Sequence, residues 1–151
     1  MVVSLKPINS INHTTYLAYM KMRLILDGYG SARRNMAVDE AMLRLRNEVG
    51  MDTLRIYKWR PSAVSIGYFQ SMHDEVDVAV AKSRGIDVVR RLTGGGAVYH
   101  DEHGEITYSI VIGKPFMDKL PGRVLESYRV LCQGLVLALR KLGLNAEFAG
   151  I

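Results

Sequence analysis

Three successive glycines at residues 94–96, directly after a predicted strand, restrict this chain more than any other feature. Glycine loses the most conformational freedom on folding, so such a run serves unusual torsions or close approach of a ligand to the backbone. Successive N–H groups can then converge on a phosphate or carbonyl oxygen. Arg90 and Arg91 precede the run with guanidinium groups suited to such anions, and strand alternation predicts that only one of them reaches a ligand. A bulged hairpin with a flexible tip is the alternative that the glycines alone leave open.

The glycine run does not match the common nucleotide motifs. No Gly-Lys-Ser/Thr follows it, it lacks the G-x-G-x-x-G spacing, and it lies between strands rather than at the start of a helix. A P-loop or nicotinamide site is therefore disfavoured.

The composition is that of one globular domain. The chain has 151 residues, 48% of them hydrophobic and 23% charged, with a net charge of +5, which excludes a disordered or collagen-like chain. One cysteine excludes an intrachain disulfide and favours a reducing, cytoplasmic setting. No apolar run is long enough to span a membrane, and no aromatic platform for nucleic acid is apparent, so we expect neither as a partner.

Strand and helix patterns alternate along the chain, which predicts one mixed α and β domain. The predicted strands cover residues 23–26, 53–59, 63–66, 86–91 and 105–112, with a turn at 101–104. The predicted helices cover residues 35–49, capped by Ser31 or Asn35, then about 71–84 and 121–142.

The two ends of the sequence lead to different expectations. Residues 1–21 lack periodicity, and we expect an N-terminal extension there, with an edge strand as the alternative. Residues 144–148 start another extended segment after the long helix. We therefore expect a fold that a further segment or a second chain completes.

Residues 90–101, Arg-Arg-Leu-Thr-Gly-Gly-Gly-Ala-Val-Tyr-His-Asp, resemble the signature of the lipoate–protein ligase family, within the biotin/lipoate attachment superfamily. Supporting matches lie at residues 35–41, 61–70 and 104–109, and the resemblance covers about residues 22–148. It implies an α+β fold with a mixed, largely antiparallel sheet and packed helices, like class II synthetase and biotin-ligase domains. Residues 22–151 would then be the N-terminal part of that catalytic domain.

The resemblance also implies an activity and partners. The family activates lipoate with ATP to lipoyl-AMP and transfers the lipoyl group to a lysine of a lipoyl carrier domain. Such domains belong to the 2-oxoacid dehydrogenase E2 subunit and the glycine cleavage H protein. ATP and lipoate are the expected ligands, with Mg²⁺ in the complete enzyme.

The resemblance assigns site residues within the motif. Arg91 would contact the nucleotide phosphate, Gly94 and Gly95 would form the wall against the lipoyl chain, and His100 and Gln70 are looser candidates for the pocket. The adenylate would be lined by Gly96, Ala97, Val98 and Tyr99.

One family residue has no counterpart here. The family's catalytic lysine lies beyond the long helix, and neither Lys114, Lys119 nor Lys141 matches it by position. We therefore expect that lysine beyond Ile151, no catalytic residue or metal ligand within the chain, and no adenylation by the isolated chain.

Two other functions stay open. One is a module that binds lipoate or an acyl adenylate without transfer. The other is an octanoyltransferase, which shares the fold, uses no ATP and employs a cysteine–lysine pair. Cys132 belongs to an apolar helix stripe, so we expect it to be structural. The residue sequence of the motif at 90–101 favours the ligase.

Two groups of residues suggest a function but also have a simpler structural explanation. The histidines His100 and His103 beside Asp101 could suggest a metal, but they flank a turn and we do not expect one. A basic group is expected to be a solvated surface, with docking of an acidic carrier domain as the functional alternative; it comprises Arg33, Arg34, Lys58 and Arg60.

Overall fold

The computed structural model describes residues 2–4, 21–118 and 122–148. The chain divides into two compact units, residues 1–113 and 114–151. The elements in chain order are β1 (Val2–Ser4), β2 (Lys21–Gly30), α1 (Ala32–Val49), β3 (Asp52–Trp59), β4 (Ala63–Ile66), α2 (Met72–Glu75), α3 (Val78–Ser83), β5 (Asp87–Arg90), β6 (Val98–His100), β7 (Thr107–Val111), α4 (Lys114–Met117) and α5 (Val124–Lys141). The α+β class is confirmed.

The first unit contains two sheets. One has the strand order β1-β2-β3-β7 and the other the order β5-β4-β6. Among the described strands, β1–β2, β3–β7 and β4–β6 pair antiparallel, whereas β2–β3 and β4–β5 pair parallel. The sheets are therefore mixed with more antiparallel than parallel pairs, as the sequence predicts.

Strand β2 is longer than the predicted 23–26. It continues to Gly30 because a bulge between Leu26 and Gly28 absorbs the Asp27-Gly28 pair that was expected to end it. Gly28 adopts a φ of +65°, which a residue with a side chain rarely adopts. Val2–Ser4 pair with β2 at the sheet edge, and residues 5–20 of the expected extension lie outside the described residues.

Helix α1 begins three residues earlier than predicted. The Ser31 hydroxyl accepts a hydrogen bond from the Arg34 amide at 3.4 Å, and Gly50 ends the helix with a φ of +68°. The start of α1 contributes to a buried cluster that joins both sheets of this unit: Ala32, Tyr57, Trp59 and Ala63.

The single helix predicted over about 71–84 is wrong, because the chain forms the two short helices α2 and α3. Val76 and Asp77 between them are extended, and the Asp77 carboxylate accepts from the Val80 amide at 2.9 Å. A residue that caps a new helix cannot also continue the previous one. Gly85 follows α3 with a φ of +67°.

The second unit contains α4 and α5. Helix α5 is followed by Gly143 with a φ of +86°, as its sequence signal predicts, while its predicted proline start lies outside the described residues. Residues Lys114–Met117 form the short helix α4. No strand forms over 144–148. Within the described ranges, no helix has the length and apolar content needed to cross a membrane.

Candidate functional site

Two loops meet where β4 and β5 end. The first is the 67–70 turn, and the second is the glycine-rich loop, residues 91–97. The Arg91 amide donates to the Ile66 carbonyl at 2.9 Å, and the Tyr68 amide donates to the Thr93 carbonyl at 2.9 Å. A Cβ atom on Gly67 would collide with the Gly95 carbonyl oxygen. Glycine at position 67 is therefore required by this close approach of two backbones.

Arg91 organises the glycine-rich loop with its guanidinium group. Its Nη1 donates to the backbone carbonyl and the hydroxyl of Ser65, at 2.7 and 2.8 Å. Its Nη2 donates to the carbonyls of Gly94 and Gly96, at 3.1 and 2.8 Å. The four Nη hydrogens thus each have an oxygen partner, and the loop is wrapped around the guanidinium.

Arg90 organises the 67–70 turn by donating hydrogen bonds to its backbone carbonyls. Its Nη1 lies 3.0 Å from the Gly67 carbonyl, 3.0 Å from the Tyr68 carbonyl and 2.6 Å from the Gln70 carbonyl. The predicted alternation of the two arginines therefore places each of them on a different loop. In the part of the chain that the structure describes, neither arginine forms an ion pair with a carboxylate.

The carbonyls of Gly94 and Gly96 bond Arg91, so the N–H groups of the same two trans peptides, those of Gly95 and Ala97, point away from it. The amides of residues 94–97 have no hydrogen-bond partner among the described residues. Gly95 has a φ of +93°, and open space surrounds the positions where Gly94 and Gly96 would carry a Cβ. Residues 92–99 are all exposed. The loop therefore presents accessible N–H donors, as an anion or carbonyl site requires.

Apolar side chains surround these donors. Tyr68 and Phe69 form an edge-to-face ring pair at 5.0 Å, and Phe69 is 89% exposed. Leu92, Val98 and Tyr99 are exposed on the loop and on β6. Exposed aromatic and aliphatic groups beside polar donors are typical of a surface that receives a ligand or partner.

His100 is buried behind the loop, not exposed on it. Its Nε2 lies 2.7 Å from the Ser65 hydroxyl, its Nδ1 lies 2.7 Å from Glu105 Oε1, and its ring stacks on Trp59 at 4.0 Å. Both ring nitrogens are occupied, so the geometry gives no support to His100 as a pocket residue. His103 pairs with Glu102 instead, and the described residues contain no cluster of three metal-ligating side chains.

A second polar cluster, which the sequence analysis missed, surrounds Arg55 on β3. Arg55 is fully buried; it donates to Asp27 Oδ2 at 2.6 and 3.0 Å and to Asp39 Oδ1 at 2.8 Å. It also bonds Asn35 and covers the Tyr57 ring at 3.9 Å. The alternation of Leu54 and Ile56 gave no sign of it, because the opposite face of β3 is the buried one.

Two pKa values reflect this cluster. The hydrogen bond from Arg34, with support from Arg55, holds the pKa of Asp27 below its ordinary value, although burial acts in the opposite direction. Burial and the adjacent Asp39 carboxylate raise the pKa of Tyr57 far above its ordinary value. Asp27 therefore stays ionised and Tyr57 stays protonated at neutral pH.

The expected basic group is partly neutralised. Arg34 is engaged by Asp27 at 2.9 Å. Arg60 and Lys58 share the ring of Tyr29, at 3.9 and 5.4 Å from its centroid. The ring contacts leave the charges of Arg60 and Lys58 in place, so the ion pair with Asp27 reduces the charge of this group at Arg34.

Comparison with known proteins gives this architecture its family. The model of the lipoyl protein ligase A/B catalytic domain matches residues 31–151, which include the glycine-rich loop. The chain belongs to this family, and the resemblance drawn from residues 90–101 is confirmed.

Its relatives include both transferases and ligases. The chain is 52% identical over 129 residues to the octanoyltransferase LipM of Kyrpidia tusciae, covering 84% of the chain and 46% of that protein. A structure of lipoate-protein ligase A bound with ATP matches 87% of the chain and 51% of its own, at 35% identity and a TM-score of 0.74. A bipartite lipoate protein ligase of Thermoplasma acidophilum, studied with its E2 lipoyl domain, matches 88% of the chain and 50% of its own, at 34% identity and a TM-score of 0.72.

The chain thus spans about half the length of these relatives. Further proteins named octanoyltransferase LipM lie at 40–47% identity. The residue sequence of the motif led us to expect a ligase. The identities to known proteins support the octanoyltransferase alternative better than the ligase.

Proposed function

We propose that this chain is the part of an octanoyltransferase that contains the glycine-rich loop. Such an enzyme transfers an octanoyl group to a lysine of a lipoyl carrier domain. The observation that carries the proposal is the 52% identity over 129 residues to an octanoyltransferase. The ligase structures lie at lower identity, 34–35%. Sequence similarity of this extent over the loop and its supporting strands favours the same acyl chemistry.

The geometry of the loop fits acyl transfer. Attack on an acyl carbonyl develops negative charge on its oxygen, and preorganised N–H donors stabilise that charge. The amides of residues 94–97, which have no partner among the described residues, supply such donors. Arg90 and Arg91, which pair with no carboxylate in that part of the chain, add a positive potential. The exposed Tyr68, Phe69 and Leu92 offer apolar surface for an alkyl chain.

The donor and acceptor follow from the reaction. A transfer without ATP requires an acyl group that is already activated, and a thioester is the simplest such donor. The acceptor is a lysine of a lipoyl domain, because a related ligase was studied with its E2 lipoyl domain. The glycine cleavage H protein is the second carrier that we propose. Transfer breaks the bond from the acyl carbon to sulfur, releases a thiol and forms an amide.

A lipoate ligase is the second candidate, favoured by the similarity to a ligase bound with ATP. The same amides and Arg91 would then face the phosphate of lipoyl-AMP, and ATP, lipoate and Mg²⁺ would be required.

The test compares the two reactions in one assay. The protein at its full natural length is incubated with an apo lipoyl domain and either an octanoyl thioester or free lipoate, each with and without ATP and Mg²⁺. The mass of the lipoyl domain is then measured. We expect an octanoyl adduct from the thioester without ATP, and no adduct when the acceptor lysine is replaced by arginine.

The other outcomes are equally informative. An adduct formed only from free lipoate with ATP would establish the ligase and overturn the transferase. Tight binding of the acyl compounds without any adduct would favour the binding module. Turnover by the 151-residue chain alone would contradict the expectation that the isolated chain is inactive.

A further inference from the structure

The hydrogen bonds behind the glycine-rich loop form a continuous chain that starts at Arg91. A guanidinium group can only donate, so the Ser65 hydroxyl oxygen accepts from Arg91 at 2.8 Å. The same hydroxyl is hydrogen-bonded to His100 Nε2 at 2.7 Å. The other ring nitrogen, Nδ1, is hydrogen-bonded to Glu105 Oε1 at 2.7 Å.

A second series of hydrogen bonds reaches the same carboxylate from the other side. The indole Nε1 of Trp59 also can only donate, and it bonds the Thr107 hydroxyl oxygen at 2.7 Å. That hydroxyl donates to Glu105 Oε1 at 2.7 Å, and the Asp101 amide donates to Oε2 at 3.3 Å. Both series therefore end on the Glu105 carboxyl group.

We infer that Arg91 is a positioning residue of the glycine-rich loop and that the Arg91–Ser65–His100–Glu105 chain fixes its guanidinium. Ser65 is fully buried and His100 is 6% exposed. Every buried polar side-chain atom of the described residues has a partner. Because its hydroxyl is committed on both sides, Ser65 is a link in this chain and not a nucleophile, despite the Ser–His–Glu arrangement.

This role differs from direct binding of a ligand phosphate. The four Nη hydrogens of Arg91 are already used, two of them on the carbonyls of Gly94 and Gly96. A ligand that took those hydrogens would release the carbonyls whose orientation turns the loop amides outward. Arg91 therefore acts on a ligand through the loop. This inference rests on the proposed function only where it names the loop as the site of the acyl carbonyl.

Two substitutions of His100 separate the link to Ser65 from the link to Glu105. The glutamine of H100Q places its amide group, which can donate or accept, near the Nε2 position and keeps the bond to Ser65. The asparagine of H100N reaches the Nδ1 position and keeps the bond to Glu105. Both variants lose the ring that stacks on Trp59, so the loss of packing is matched between them.

Trypsin provides a readout that does not depend on the enzymatic activity. Trypsin must take a free arginine side chain into its pocket, and Arg91 is held by four hydrogen bonds. In the protein at its full natural length, we expect H100N and S65A to raise the initial rate of cleavage after Arg91 by about tenfold. That factor corresponds to the loss of one hydrogen bond to a charged group. H100Q should stay near the wild-type rate.

The transferase assay supplies the second readout. We expect H100N and S65A to lower kcat/KM by up to about 100-fold, because misplaced catalytic donors lose that much. H100Q should recover most of the loss. The control H103N changes an exposed histidine paired with Glu102 and should change neither readout.

Equal cleavage rates and equal kcat/KM in H100N and H100Q would overturn the inference, since His100 would then act by packing alone. If neither His100 variant folds, an unchanged cleavage rate in S65A would overturn it. If no transferase activity is found in any variant, the proposed function fails, whereas the cleavage rates still decide the role of Arg91.

Discussion

Two arginines of the first unit each donate at least four side-chain hydrogen bonds but differ in what they bind. Arg55 is fully buried and faces the carboxylates of Asp27 and Asp39, so its charge is compensated. Arg91 lies at an exposed loop and bonds one hydroxyl and three backbone carbonyls. Both guanidinium groups order the backbone around them, but within the described ranges Arg55 pairs with carboxylates and Arg91 does not.

The difference shows how one side-chain type serves stability or function. A buried ion cluster penalises the loss of any member, because the remaining charges are left desolvated. A guanidinium bonded to carbonyls orders the backbone and leaves a positive potential for an anionic or polarised group. We therefore expect substitutions at Arg55 to affect folding and substitutions at Arg91 to affect activity.

The largest effect is expected at Arg55. R55M should lower the free energy of unfolding by about 3–5 kcal/mol, because it leaves two carboxylates without their buried partner. Urea denaturation measures this loss. The control R44M removes an exposed ion pair with Glu40 and should cost no more than about 1 kcal/mol. A loss at Arg55 as small as that of the control would remove the contrast between the two arginines.

The next effect is at Arg91. R91M should lower kcat/KM of the full-length protein by about 100-fold through misplacement of the loop, while the free energy of unfolding falls by only about 1–2 kcal/mol. R91K keeps the charge but cannot bond four oxygens in a plane. Full activity of R91K in the transfer assay would show that charge alone suffices and that the planar geometry is dispensable.

Alanine substitutions at Gly67 and Gly94 test the loop with smaller expected losses in the free energy of unfolding. G67A should lower the free energy of unfolding by about 1–3 kcal/mol, because its Cβ meets the Gly95 carbonyl oxygen. G94A has open space and should change the unfolding free energy by less than about 1 kcal/mol. If a ligand approaches the loop there, G94A still weakens acyl transfer. Equal activity of G94A and wild type would locate the ligand elsewhere.

The smallest effect is a pH dependence of the Arg55 cluster. The pKa of Asp27 is lowered in the folded state, chiefly by Arg34. Its contribution to stability is therefore present above about pH 4 and is lost as the pH falls through the lower folded value. R34Q raises that pKa toward the ordinary value of 3.8. Urea denaturation should show R34Q less stable than wild type at about pH 7 and a smaller difference at about pH 3; an equal difference at both would contradict this.

Much of the site could be predicted because its signals are local. The glycines at 94–96 indicate a backbone site within one short segment. The predicted turn at Asp101 is also confirmed, because the amides of His103 and Gly104 donate to its carboxylate. Ser31 and Gly50 likewise mark the ends of α1 within the range of single hydrogen bonds.

The missed features depend on contacts that are distant in sequence. Arg55 bonds Asp27 and Asp39, which are 28 and 16 residues away in sequence. The periodicity of β3 does not indicate that an arginine occupies its buried face. Ser65 and His100 are 35 residues apart. The register of β4 with β6, in which Ala63 faces His100, decides that this histidine points behind the loop, and register cannot be read from either strand alone.

The stacking of Trp59 on His100 also gives the protein an optical reporter. Trp59 is the only tryptophan in the 151 residues, and its ring lies 15° from parallel to the imidazole. Tryptophan fluorescence from this chain therefore originates beside the imidazole that bonds Ser65. A shift in emission wavelength or a change in quenching when an acyl compound is added would register movement behind the glycine-rich loop in real time, without any label.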